Sequence, residues 1–547
     1  MIKEQKKSRE VRFWGWGMLG HSFDKDKARA FLEYLQKYYR LSELPDSFFE
    51  LEDDAYVIPE TRLPPKFVDR WIKKGLTLDN KERLIHSLGK SYRDLLRVRS
   101  ARISHYADGV LHLLKKEDLT ELYKDAGHFH ITLIPFGGGT GVVGGTECIG
   151  VKNSPVLVVD LKKIDALLQL DKTAQTARFE AGILGPKLEE TLNNKGFTLG
   201  HFPQSFEFST LGGWVATRSA GQNSTKYGKI EDRVQSLTIV TPVGQITTNA
   251  VPSSATGPSI KQILIGSEGI YGIITDATLR ISPLPEDQKF VPGFFKSFKD
   301  GIHCFREVMQ EGTRPSVMRL SDPSETEMFI QIALTSPLKK RLMPYWMKYK
   351  KLGDAPCFFM IATEGSRDEV RYSDARVKHM IKKYGGAMLG PSLGDKWKKD
   401  RFELPYLRDD LMDHGFFIDT LETAAPWSQL QKIYFDMADA FVNQRGFKEK
   451  IVFGCHLSHC YSDGASLYFT FLGLQRKGQE LKQWEEIKKI ATDVIMENGG
   501  TLSHHHGIGY DHKRWMEQEK TPLGIEVLKS IKRELDPDGL LNPGKVV

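Results

Sequence analysis

Pro135 to Thr146 reads PFGGGTGVVGGT. Gly139, Gly141 and Gly144 satisfy the G-x-G-x-x-G spacing of a dinucleotide fingerprint, the apolar run ITLIPF leads into it, and Asp160 follows downstream. A Rossmann unit needs a helix that starts at those glycines and turns its N-terminus toward a pyrophosphate. The residues that come next, GGTECIGVKNSP, carry breakers and no helical periodicity, and the next apolar run arrives too soon for a βαβ crossover. The Rossmann reading is therefore refused. Glycines this dense allow positive φ and let successive N–H groups converge into an anion-binding nest. Taken alone, the cluster would also suit a flexible loop.

Around this stretch the chain has globular proportions. It has 547 residues, 40% hydrophobic and 27% charged, too many for one core, so two or three lobes are expected. The formal net charge of +7 suits anionic ligands or an anionic membrane, or simply solvated lysines, and no nucleic-acid module accompanies it. Cys148, Cys304, Cys357, Cys455 and Cys460 are scattered and form no C-x-x-C pair, which points to a reducing compartment. The N-terminal MIKEQKKSREVRFWGWGM lacks a signal-peptide core, no run is long enough to span a bilayer, and the terminal NPGKVV is not a peroxisomal address. The expected location is cytoplasmic, peripheral to a membrane at most.

The texture of the chain changes along its length. Residues 1–100 read as a helical, charged N-terminal region, with DKARAFLEYLQKYYRL at helical spacing and breaks at Pro45, Pro59 and Pro64–Pro65. Residues 101–287 carry short β-rich runs between glycine clusters. Residues 288–495 alternate strands and helices, and residues 496–547 hold a Gly/His-rich loop and a final helix. The fold class is α+β.

Two further segments complete the glycine loop. Pro203–Ala220 reads PQSFEFSTLGGWVATRSA and Ile265–Ile274 reads IGSEGIYGII. In this order the three resemble the two-subdomain FAD-binding domain of the vanillyl-alcohol-oxidase class, the PCMH-type fold, with an α+β cap domain for the substrate. The resemblance implies a non-covalent FAD. It is held by Pro135, Phe136, Gly137, Gly138, Gly139, Thr140 and Gly141 of the first loop. Gln204, Ser205, Phe206, Glu207, Phe208, Ser209, Thr210, Thr217, Arg218, Ser219 and Ala220 serve in the second. Glu268, Gly269, Ile270, Tyr271, Gly272, Ile273 and Ile274 run along the cofactor.

More of the chain resembles one branch of that class, the alkyldihydroxyacetonephosphate synthase (alkylglycerone-phosphate synthase) family. The matching stretches are FWGWG (Phe13–Gly17), EFSTLGGWVATRSAG (Glu207–Gly221), RPSVMRLSD (Arg314–Asp322), PYLRD (Pro405–Asp409), ETAAPW (Glu422–Trp427), SLYFTF (Ser466–Phe471) and SHHHGIG (Ser503–Gly509). The resemblance implies a transferase of ether-lipid synthesis. It exchanges the acyl chain of acyl-dihydroxyacetone phosphate for a fatty alcohol, through a covalent adduct at flavin N5 and without net redox change. The rival is the FAD-linked D-2-hydroxyacid dehydrogenase branch (D-lactate or glycolate type), which has E-H-G-I-G where this chain has three histidines.

The same resemblance assigns the site. Tyr468 matches the catalytic tyrosine, although a strand tyrosine is more often core, and a phenol near pKa 10 needs a neighbour to act as a base. His504, His505 and His506 are expected to supply hydrogen bonds and move protons; three histidines would also suit a metal, and none is expected. In an extended stretch His504 and His506 would face one way and His505 the other. Arg319 and Arg408 match arginines suited to a phosphate or carboxylate, against the plainer reading of surface ion pairs. The chain departs from the family at Gly141 and Val143, which replace two serines. It departs again at His456, which stands in place of an arginine and forms H-x-x-H with His459. Leu338–Lys351, LKKRLMPYWMKYKK, suits either an anionic lipid surface or a solvated loop. The expected partners are lipid substrates and a second copy of the chain.

Overall fold

The computed structural model describes residues 11–45, 55–334, 337–443 and 445–547. The strand Thr132–Phe136 delivers the glycine loop. It pairs in parallel with Val156–Asp160, and between the two there is only the short 3₁₀ turn Val151–Asn153. The absence of a helix at the glycines agrees with refusing the Rossmann fold. Gly109–His112 and Leu76–Thr77 complete this four-stranded sheet. The Leu76–Thr77 strand comes from the N-terminal region, so the sheet crosses the expected boundary at residue 100.

A second, five-stranded antiparallel sheet runs Leu167–Asp171, Thr176–Glu180, Ile273–Arg280, Val234–Thr241 and Gly244–Thr247. The helix Leu211–Thr217 lies over it, burying Leu211, Trp214 and Val215. Thr210 caps that helix, its hydroxyl accepting from Gly213 N at 3.3 Å, and Arg218 at φ 52° ends it. These two α/β units form the FAD-binding part of an α+β fold.

The cap is a seven-stranded antiparallel sheet in the order Ala387–Met388, Asp287–Phe295, Cys357–Gly365, Val317–Ser321, Ile451–Cys460, Gly464–Leu474 and Phe416–Pro426. The period-two rule divides its faces. Leu467, Phe469 and Phe471 are buried against a layer that includes the helices Phe298–Gln310, Arg367–Lys383, Trp427–Phe441 and Glu480–Glu497. Burying one such side chain contributes roughly 1.5–3 kcal/mol. Ser466, Tyr468 and Thr470 point to the opposite face, toward the FAD-binding part. The N-terminal helix Lys25–Tyr39 packs Phe31, Leu32 and Leu35 in one cluster with Met328, Ile332 and Leu411, so the N-terminal region serves the cap as well. At the C-terminus the chain returns to the first sheet, where Leu541 bridges Leu133. Among the described residues no helix is long and apolar enough to cross a membrane.

Candidate active site

A cavity of about 720 Å³ lies between the cap sheet and the two FAD-binding units. On one side its wall is main chain. Pro135 through Gly141 line it, with Gln204, Ser205, Ser209, Thr210, Thr217, Ser219, Ala220, Glu268, Gly269, Gly272 and Ile274. The loops interlock because they lack side chains: a Cβ on Gly138 would overlap the Phe208 carbonyl oxygen, and one on Gly137 the Thr210 hydroxyl. Gly139 sits at φ 64°. Open space surrounds the place where a Cβ of Gly141 would stand. A nest of glycine backbone beside the Thr210-capped helix start suits a pyrophosphate, and an extended cradle continues from it, so these residues fit FAD. Phe206, Glu207, Phe208, Arg218, Ile270, Tyr271 and Ile273, also expected at the cofactor, do not reach the cavity. Phe206 stacks on Trp214 and Phe402, and Phe208 meets Trp16 edge-on. Glu207 is exposed, Arg218 donates to Gln262 O, Tyr271 donates to Leu528 O, and Ile270 and Ile273 are core.

The facing wall is built from side chains of the cap sheet. Register aligns His456, Tyr468 and Glu422 across three adjacent strands. The Tyr468 hydroxyl donates to Thr420 Oγ1 at 2.9 Å, and its ring lies parallel to His456 at 4.8 Å and to His505 at 6.1 Å, with His506 edge-on at 5.6 Å. Burial pushes the phenol up to about 12, against the lowering effect of the Thr420 bond. The tyrosine and the histidines are thus in ring contact, and among the described residues no hydrogen bond joins them.

The triplet is not extended. It bends around Glu422, whose carboxylate accepts from Ser503 Oγ (2.8 Å) and from the backbone N–H groups of His504 (2.7 Å), His505 (3.0 Å) and His506 (2.8 Å). The alternation expected for these histidines is therefore wrong, because three consecutive N–H groups converge on one buried anion. His505 and His506 face the cavity, while His504 turns away to Tyr461, with 2.6 Å between its Nε2 and the phenol oxygen. Burial lowers all three histidines, so the rings are neutral at pH 7. Burial would raise Glu422, but the three converging N–H groups and the Ser503 hydroxyl reverse this and hold it well below the usual carboxylate range. His459, His504 and His505 gather their ring nitrogens within 4.8 Å, as do Glu422, His505 and His506 their ligating atoms.

Glu268 joins the two walls. It accepts from Ile508 N (2.6 Å) and Gly509 N (2.8 Å), tying the loop after the histidines to the FAD-binding part, and burial raises it to about 7.

Both arginines reach the cavity, in different states. Arg408 rides the helix Leu404–Asp413, which Pro405 helps to start. One of its nitrogens donates to Lys90 O at 2.9 Å; its Nε and the other Nη are shielded from solvent and have no hydrogen-bond partner among the described residues. Arg319 instead pairs with Glu325 at 3.1 Å and lies over the Phe329 ring at 5.0 Å.

Comparison with known proteins places this geometry. Residues 107–249 match the family model "FAD binding domain", and residues 284–546 match "FAD linked oxidases, C-terminal domain". The chain is 33% identical to the alkyldihydroxyacetonephosphate synthase of Dictyostelium discoideum, over 91% of this chain and 85% of that one. It is 32% identical to the synthase of Trypanosoma brucei brucei, over 98% and 92%. A solved structure of an alkyldihydroxyacetonephosphate synthase superposes with a TM-score of 0.83 at 29% identity, covering 98% of both chains. This chain belongs to the alkyldihydroxyacetonephosphate synthase family. Its cofactor is FAD.

Within that synthase frame, sequence reasoning locates Tyr468, the histidines and both arginines and places Glu268 along the cofactor, but it assigns no role to Glu422 or Glu325 and gives Glu268 no part in holding the loop after the histidines. Glu422 opens the quoted ETAAPW and Glu268 lies inside GSEG, so the motifs contained both carboxylates. Their roles became visible only with the backbone N–H groups they hold. Glu325 lies outside every motif used; its one signal is Asp322–Pro323, which starts the helix that presents it.

Proposed function

We propose that this synthase-family protein exchanges the acyl chain of an acyl-dihydroxyacetone phosphate for a fatty alcohol, forming an ether bond without net redox change. The observation that carries the reading is Arg408. It lines a largely apolar cavity that begins at the FAD loops, and two of its buried guanidinium nitrogens have no hydrogen-bond partner among the described residues, which suits a phosphate or carboxylate on an alkyl chain. Phe31, Met328, Ile332, Met343, Leu393 and Trp397 wall the apolar end, where they exclude water from the chains. Arg408 holds the anionic group and fixes the headgroup relative to Tyr468, which holds and moves a proton at its phenol oxygen. His505 and His506, neutral and set by Glu422, pack the other side of that ring. The chemistry that FAD supplies when bound is activation of the carbon from which the acyl oxygen departs.

The test is to supply acyl-dihydroxyacetone phosphate with labelled hexadecanol and, in parallel, D-lactate with a dye acceptor. Ether product without dye reduction is expected. Dye reduction without ether product would assign the protein to the FAD-linked D-2-hydroxyacid dehydrogenases.

The reading extends to the membrane surface. The helix Pro337–Tyr349 exposes Leu338, Leu342, Tyr345 and Tyr349, while Met343 lines the cavity and Trp346 meets the cavity residue Phe294. An apolar stripe outside the chain-binding end, with Arg341 and Lys348 on the same helix, suits peripheral contact with anionic lipid by an otherwise cytoplasmic protein. Flotation with anionic vesicles is expected, and Leu342→Glu should weaken it. A homodimer is the proposed assembly, to be checked by light scattering.

A further inference from the structure

We propose that His456, oriented by Glu325, takes the proton of the incoming alcohol, a role that rests on the synthase reading above. The pair is built by the local fold. Asp322 caps the helix Pro323–Ala333 by accepting from Glu325 N at 2.7 Å, which fixes Glu325 in the first turn beside the strand Ile451–Cys460. Glu325 Oε1 lies 2.8 Å from His456 Nδ1 and 3.1 Å from the Arg319 guanidinium. Arg319 also approaches Nδ1 at 3.1 Å, but the closer carboxylate can only accept, and a bare Nδ1 would set its lone pair against Oε1 at 2.8 Å. Both groups therefore direct their hydrogens to the same carboxylate oxygen, and Nδ1 carries the ring proton. The lone pair is left on Nε2, which has no hydrogen-bond partner among the described residues. The ring lines the cavity in parallel contact with Tyr468, its register partner on the next strand.

A carboxylate on Nδ1 with a free Nε2 is the arrangement of an oriented imidazole base. Burial and the neighbouring Arg319 lower His456, which keeps it neutral and able to accept. Tyr468 is poorly suited to the same task, since its phenol keeps its proton far above neutral pH. The arginine that the resembling family carries at this position could not accept a proton at all.

The step balances. The bond from the glycerone carbon to the acyl oxygen breaks, and its electron pair leaves with the fatty carboxylate. A lone pair of the alcohol oxygen then forms the ether C–O bond to that carbon as the O–H bond breaks, and the proton passes to His456 Nε2. From there it is released to solvent when the product leaves.

The two halves of the exchange can be read separately, because labelled fatty acid should enter acyl-dihydroxyacetone phosphate without any alcohol. In His456→Gln, ether formation should fall about 100-fold or more, and fatty-acid exchange should fall at least tenfold less. His456→Arg should behave like His456→Gln, with FAD content and Tm recorded for both. A second readout uses no turnover. Histidine-selective ¹⁵N NMR of the wild-type holoenzyme, with Glu325→Gln for comparison, should show His456 protonated at Nδ1 alone at pH 7 and should show that preference lost in the variant. Equal losses in both halves, ether formation by His456→Arg at the wild-type rate, or a wild-type His456 protonated at Nε2 would each overturn the proposal. Absence of ether product from the wild type would instead overturn the synthase reading.

Discussion

The two walls of the cavity are made of different material. The FAD wall is backbone: Gly137 and Gly138 approach the loop ending at Thr210 so closely that no side chain fits between them. The cap wall is side chain: Arg319, His456, Tyr468 and Glu422 come from four strands, and His505 and His506 come from a loop more than thirty residues further on. A backbone wall tolerates little change in shape, whereas a side-chain wall can keep its shape and lose its chemistry. The variants below should separate the two behaviours.

The largest effect is expected at Gly138. A methyl group there meets the Phe208 carbonyl oxygen, and main chain on both sides cannot swing aside as a side chain could. Gly138→Ala should lose bound FAD and all turnover together, seen as lost absorbance near 450 nm in the purified protein. A yellow, active Gly138→Ala would show that the loops are looser than the geometry requires and would erase the contrast.

Next comes Tyr468→Phe, which removes one oxygen from the cap wall and leaves the ring stacked between His456 and His505. Turnover should fall by roughly 10²- to 10⁴-fold with FAD content intact. Activity close to wild type would remove the phenol from the proton-handling role. Loss of FAD would show that the two walls are not separable.

What could be read from the sequence follows the same division. The glycine loop, Thr210 and Glu268 lie in contiguous motifs, because a backbone cradle is written in consecutive residues. Refusing the Rossmann helix needed only the breakers after Gly144. The cap wall spreads over nearly two hundred residues, from Arg319 to His506, and its chemistry depends on pairs such as Glu325 with His456 that no local spacing encodes. The orientation of the histidine triplet was misread for a similar reason. Strand alternation is a local rule, and it gave way to a distant buried carboxylate that gathers three N–H groups. Phe206, Phe208 and Tyr271 fell inside true cofactor motifs yet face the core, since a motif shared by a family also records packing.

Acid should distinguish the walls by stability. A histidine whose folded pKa lies below its unfolded value gains its proton only on unfolding. It therefore costs nothing above about pH 6.5 and removes stability as pH falls below that. Burial lowers His201 to about 3 beneath the FAD wall, where it contacts Ser219 and Trp214. At the cap wall burial lowers five: His456, His459, His504, His505 and His506. Glu422, held low, adds a loss at still lower pH, since a depressed carboxyl stabilises above its unfolded value and ceases to as pH falls. By pH 5 a histidine held as low as His201 or His459, each lowered to about 3, should remove roughly 2 kcal/mol. Hydrogen exchange at pH 7 and pH 5 should show Ser503–Gly509 opening before Pro135–Gly141. The reverse order would mean that the histidines are already protonated in the fold.

The smallest effect is expected at Arg319, set against Arg408. The two arginines look equivalent in sequence, each in a family motif that ends on an aspartate, Asp322 or Asp409. In the fold they are not. Arg408 lines the cavity with two buried nitrogens that have no partner among the described residues, so truncating it should remove an interaction with substrate worth about 2–5 kcal/mol. Arg319 is already engaged by Glu325, and most of what Arg319→Ala removes is that internal pair. The expected result is a large loss of kcat/KM for Arg408→Ala, little of it recovered in Arg408→Lys, because an ammonium lacks the planar fork. Arg319→Lys can still reach Glu325 and should retain most of the activity. Arg319→Ala should act mainly through Glu325, which it leaves to His456 alone, and so should alter kcat more than KM. A KM increase for Arg319→Ala as large as that for Arg408→Ala would show that substrate displaces Glu325 and binds both guanidinium groups, making the cap wall as responsive to substrate as it is varied in its chemistry.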